Sequence, residues 1–243
     1  MPTSETGHAK NVANFKDLIE FVTAYGAVYN PSKAALQLVN LQTRLAAEQT
    51  NLAGVVGGIT LFNNAVNERA NAFSKLKPLS TRLVNALSAT DASKKTIQDA
   101  KGFNRKLQGK KATAAAKPID PAAPLPPKSI SSSQQSYDQQ IQHMSGLVSV
   151  LASEATYLPN ENDLKVATLT PMVASLTAKN NDVATQYAAI SNARTKRDKG
   201  LYTEKTGLVP IALDVKTYIK SVFGASSPEF KQVNKINFKT ITT

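Results

Sequence analysis

Residues 94–111 read KKTIQDAKGFNRKLQGKK and set seven Lys or Arg against a single acid, Asp99. Cations packed this closely neutralise phosphates, whether of nucleic acid or of anionic lipid head groups. The chemistry on offer is ionic. Lys94, Lys95, Lys101, Arg105, Lys106, Lys110 and Lys111 are the candidate polyanion contacts, with Lys94, Lys101 and Arg105 within reach of one helix face. The plainer alternative is a solvated helix end, where cations near a C-terminus complement the dipole. Phe103 is the only aromatic in the segment, so a stacking platform for single strands is not indicated. A second basic knot, RTKRDK at 194–199, holds Arg194, Lys196, Arg197 and Lys199 against Asp198. It reads first as a solvated helix face.

Covalent and metal chemistry has little material. The 243 residues include no Cys, no Trp and 2 His. Disulfides, thiolate zinc sites, iron–sulfur clusters and cysteine nucleophiles are excluded. His143 stands near Asp138 and Ser145, but positions two apart on a helix face different ways. It is expected to be a partly buried or surface histidine, and His8 is expected in a mobile terminus. A phosphate loop around Gly109 and Lys110 fails on spacing, because six residues separate Gly102 from Gly109 where the motif needs four. Glu161 and Asp163 read as a helix-start signal. No nucleophile, base and orienting group come together. The expectation is a non-enzymatic protein with no catalytic residue, metal, cofactor or small-molecule substrate.

The elements that carry these residues are helical. Positions 38, 41, 45, 48, 52, 55, 59, 62, 66, 69, 73 and 76 step by alternating threes and fours, and ten of the twelve are apolar. That is a coiled-coil-like seam. The matching seam at 166–201 carries Asn180, Arg194 and Arg197, so it is weaker and partly exposed by expectation. Gly54, Gly57 and Gly58 interrupt the first seam, and each interior glycine costs a helix about 1 kcal/mol against alanine. They are hinge candidates, or else sites of close helix packing. Asn30-Pro31 and Ser227-Pro228-Glu229 read as helix starts. Gly224 reads as a stop, and Pro78 and Pro210 as starts or kinks. Lead-in helices are expected near 12–28 and 133–156, and a long helix near 32–77.

Residues 112–133 hold five of the twelve prolines and read as an extended spacer. The predicted organisation is a helical-bundle half at 1–111, a Pro/Ala/Ser-rich linker at 112–133 and a second half at 134–243. The halves look like degenerate repeats. At the offset that carries Tyr29 to Tyr157, Leu36 falls on Leu164, Leu41 on Leu169, Asn64 on Asn192 and Arg69 on Arg197. At an offset of 136, residues 87–90 fall on 223–226. The fold class is all-α, with two related up-down bundles.

The formal net charge is +12. The N-terminus, MPTSETGHAKNVANF, has no basic stretch followed by an apolar run, so no secretory signal is expected and a cytoplasmic address is. The opening SETGHAKNVANF, the Tyr-Asn-Pro turn, NNAVNERANAF and the stretch ALDVKTYIKSVFGASSPEFKQV resemble a group of uncharacterised bacterial all-helical proteins. That resemblance implies a stand-alone helical protein and brings no functional residues. The expected function is an interaction or scaffold protein whose partner is a protein, a second copy, or a nucleic acid met by the basic segment. The alternative is a membrane-acting protein resembling helical pore formers, with the apolar glycine-containing segment 52–62 and a basic surface.

Overall fold

The computed structural model describes residues 3–109 and 135–240, and the regular structure among them is helical. The expected spacer at 112–133 lies outside the described residues, as do Lys110 and Lys111. In chain order the helices are α1 (Thr3–Ala24), α2 (Leu38–Ser74), α3 (Leu76–Ser88), α4 (Lys94–Leu107), α5 (Tyr137–Ser153), α6 (Val166–Tyr202), α7 (Leu208–Phe223) and α8 (Pro228–Asn234). Short 3-10 turns occupy Ala34–Leu36 and Asn162–Leu164.

Local chemistry accounts for most boundaries. Gly26 takes φ +58°, which a side chain disfavours, just past the end of α1. Ser93, Ser136 and Ser227 cap α4, α5 and α8, each accepting from a backbone N–H three residues on. Pro78 and Pro210 stand third in α3 and α7, where no intrahelical donor is lost. Gly224, at φ +91°, closes α7.

Two expectations change. α1 begins at Thr3, so His8 sits inside a helix and is fully buried. The first long helix begins at Leu38, six residues after the expected start. The reason lies in Tyr29, whose buried hydroxyl donates to the Leu36 carbonyl at 2.7 Å. That bond holds residues 29–36 in a closed loop and delays the helix. Tyr157 donates to Leu164 in the same way at 3.0 Å, and α6 begins two residues later. The two turns stand at the 128-residue offset, and α2 and α6 are each 37 residues long.

All twelve positions of the first seam are buried or half-buried. α2 runs unbroken through Gly54, Gly57 and Gly58, so no break marks a hinge there. Only Gly58 meets a neighbour: a Cβ on it would lie 3.2 Å from Ile190 of α6. Gly54 and Gly57 face open space. The second seam is partly exposed as expected, with Tyr187 63% exposed and Arg194 half-buried, but Arg197 on the same stripe is only 1% exposed.

The chain forms two compact units that differ from the sequence halves. One comprises residues 1–62 and 186–243, the other 63–185. The first is built from α1, the opening of α2, the end of α6, α7 and α8. Its core holds Phe15, Leu18, Ile19 and Val22 of α1, at helical spacing, with Ile211, Val215 and Ile219 of α7. The second is built from the end of α2, α3, α4, α5 and the opening of α6. Its core holds Leu83 and Leu87 of α3, Leu107 of α4, and Met144, Leu147 and Leu151 of α5. Length explains the difference. At 1.5 Å per residue a 37-residue helix extends about 55 Å, well beyond the width of one small bundle. α2 and α6 therefore each serve both units.

Candidate polyanion interface

α4 owes its position to one apolar face and three hydrogen bonds. Ala100 and Leu107 are fully buried, and Ile97 and Phe103 pack on the second unit's core. Phe103 lies against Gly146 of α5, where a Cβ would stand 2.3 Å from the ring. Only a glycine admits the ring this closely. At the C-terminal end, the buried hydroxyl of Ser80 donates to Asn104 at 2.9 Å, and Gln108 donates to the Lys77 carbonyl at 2.8 Å. Gln135, ahead of α5, donates to the Lys106 carbonyl at 2.7 Å. The helix is thus fixed on α3 and α5, and its opposite face is free.

That face carries the predicted cations. Lys94, Lys95, Lys101, Arg105 and Lys106 are all exposed, and among the described residues none of the five takes part in an ion pair. At 100° per residue, Lys94, Lys101 and Arg105 share about 40° of arc, with Lys95 and Lys106 about 100° round. From Lys94 to Lys106 the face runs about 18 Å. Beside it lies a groove of about 530 Å³, lined by Gln98, Asp99, Gly102, Phe103, Arg105, Lys106 and Val150. Lys106 stands 5.7 Å from the Phe103 ring centre.

The distribution of charge along α4 separates the two readings of the segment. Arg105 and Lys106 lie in the last turn, where cations suit the dipole. Lys94 and Lys95 open the first turn, which has no acid. There they oppose the dipole, at about 0.3–1 kcal/mol each. Lys101 and Arg105, four apart, add a like-charge repulsion. Dipole compensation therefore explains one end of the cluster and not the other.

The second basic knot does not form a surface cluster. Lys196 and Lys199 are exposed, while buried Arg197 turns inward and donates to Asp198 at 2.8 Å. Seam position and burial decide this, since Arg197 occupies the stripe that the α6 periodicity directs to the core. Its counterpart at the 128-residue offset, Arg69, also turns inward. It donates to Asn180 at 3.0 Å and lies 4.0 Å over the Tyr137 ring.

His143 is buried on α5, and its Nε2 has no hydrogen-bond partner. Burial, and then the charge of Lys106, hold its pKa below the ordinary histidine value. Asp138 and Ser145 take no part: Asp138 accepts from Asn180.

A buried polar group escaped the sequence reading. His8 Nδ1 lies 2.7 Å from the Tyr202 hydroxyl, which also accepts from Asn11 at 3.2 Å. Asn11 brackets the backbone of Lys239, donating to its carbonyl at 2.7 Å and accepting its N–H at 3.1 Å. The signal was present. His8 and Asn11 continue the α1 stripe of Val12, Phe15 and Ile19 one turn upstream, and only the assumed helix start hid it. Among the described residues no group of three or more His, Asp or Glu could hold a metal, and no helix is long and apolar enough to cross a membrane. No protein family, curated protein or solved structure matches this chain.

Proposed function

We propose that this is a non-enzymatic interaction protein whose exposed α4 face binds the phosphate backbone of a nucleic acid. The observation that carries the reading is the exposed pair Lys94 and Lys95 at the N-terminal end of α4, where they oppose the dipole and, among the described residues, enter no ion pair. Phosphates would offset that cost. An 18 Å face spans about five phosphates of one strand at 3.4 Å each. None of the large apolar side chains exposed among the described residues lies on α4, which favours a polymer backbone over a bilayer as the anionic partner. The halves read as a duplication, supported by the paired Tyr turns and equal long helices. Within it α2 and α6 act as coiled-coil-like spines and 112–133 as a spacer.

The test is fluorescence anisotropy with a labelled duplex and a labelled RNA at several salt concentrations. Five contacts give a slope of log K on log salt near −4.5 for duplex. Replacing Lys94, Lys95, Lys101, Arg105 and Lys106 with Gln should flatten it. Binding that keeps its slope in that variant, or no binding at low salt, overturns the reading. Leakage from anionic vesicles without nucleic-acid binding would point to the membrane-acting alternative.

A further inference from the structure

We infer that the two sequence halves are obligate partners: the chain is an interlaced two-part assembly that stays together without the covalent connection between its parts. The inference goes beyond anion binding and does not rest on it.

Each half splits its helices between the two compact units, and it does so in the same order. The first half gives α1 and the Tyr29 turn to one unit, and α3 and α4 to the other. The second half gives α5 and the Tyr157 turn to the latter, and α7 and α8 to the former. Lead-in helices are thus met by return helices of the opposite half. The α1 stripe of Phe15, Leu18 and Val22 packs with Ile211, Val215 and Ile219 of α7. The α5 stripe of Met144, Leu147 and Leu151 packs with Leu83, Leu87 and Leu107.

Polar contacts repeat the pattern. In the first unit the Tyr29 turn is held by α7: the Tyr218 ring stands edge-on to Tyr29 at 5.2 Å, and Lys33 meets Asp214 at 2.6 Å. In the second the Tyr157 turn is held by α3, through Arg82 on Asp163. Arg82 and Tyr218 are equivalent at the 136-residue offset. Two different side chains at one repeat position grip the same turn of the other half. A half on its own would leave both stripes in water, and large exposed apolar patches are not tolerated by stable soluble chains.

The test inserts a recognition sequence for a site-specific protease at 119–125 of the full chain, which is folded and then cut. The expected result is co-elution of both fragments at the mass of the uncut protein, unchanged helical circular dichroism, and a melting temperature that rises with protein concentration. Fragments that elute apart, folded or unfolded, would overturn the inference. A second measurement places Lys33→Cys with Asp214→Cys, and separately Arg82→Cys with Asp163→Cys, in the cut protein, which has no other cysteine. A short bismaleimide should join the two fragments on a denaturing gel in both variants. Failure in both would count equally against it.

Discussion

Tyr29 donates its buried hydroxyl to the Leu36 carbonyl across a seven-residue loop, and the residue as a whole is 8% exposed. The bond satisfies a carbonyl that water does not reach. Removing the hydroxyl in Tyr29→Phe leaves that acceptor bare, at about 1–3 kcal/mol. Tyr157→Phe should cost a similar amount through Leu164. Burial pushes both phenols up, Tyr157 to about 12. The unfolded chain then loses its protons first, near pH 10, while the native state keeps them. Stability should be whole below pH 10 and fall as pH rises through about 12. Urea unfolding between about pH 8 and 11 checks this, and a Tyr29→Phe/Tyr157→Phe variant with the same alkaline slope would count against it.

Phe103 and Gly146 make a second sharp case. Gly146→Ala gains about 1 kcal/mol of helix propensity. The added methyl would stand 2.3 Å from the Phe103 ring, and such overpacking costs about 1–3 kcal/mol. The ring is wedged on one side by α5, so the clash should win, with a net loss of up to about 2 kcal/mol. Because Phe103 seats α4, the same variant should weaken polyanion binding. Gly146→Ala together with Phe103→Leu should recover most of both. A single variant as stable as the parent would show that the ring moves freely.

Much of this fold is legible from spacing, and the misses have physical causes. The seam of α2 was read position by position, because alternating threes and fours leave one stripe to bury. The exposed cations of α4 were legible for the complementary reason: no apolar position interrupts their arc. Arg197 is the position where charge points to solvent and register points to the core. A long α6 whose stripe passes through position 197 buries whatever stands there, and Asp198 supplies the counter-charge. The division into compact units was not legible. Periodicity gives the face that a helix buries and says nothing of which helix covers it, so α1 meeting α7 leaves no trace in either sequence.

Lys94 and Lys95 set stability against binding. Replacing both with Glu puts anions in the first turn of α4, where the dipole favours them. The shift should stabilise the protein by about 0.5–2 kcal/mol. Binding to duplex should weaken, and the salt slope should drop by about 2 with the loss of two contacts. Thermal melts and anisotropy titrations on the same preparation read both quantities. If the double variant is more stable and binds as well as the parent, the first-turn lysines have no phosphate to meet.

His143 gives the protein an acid-side response distinct from that of its carboxylates. Its Nε2 is buried without a partner, and Lys106 adds a positive field, so the charged ring is disfavoured in the native state. The unfolded chain takes up the proton near the ordinary value of about 6.5, and the native chain resists it. Below that pH the unfolded state holds more protons, so stability is complete above about 6.5 and declines as pH falls. Asp163 behaves differently. The hydrogen bond from Arg82 holds its carboxyl below the usual value of 3.8, so its contribution is lost only at more acidic pH. Because buried His8 is common to both proteins, the difference between parent and His143→Gln in unfolding at about pH 7.5 and 5.5 isolates His143. His143→Gln, which cannot charge at that position, should lose less stability than the parent between the two. Saturating polyanion should reduce the parent's loss, since phosphate against Lys106 relieves part of the field on the ring. Parallel acid profiles for parent and variant would mean that the proton enters elsewhere.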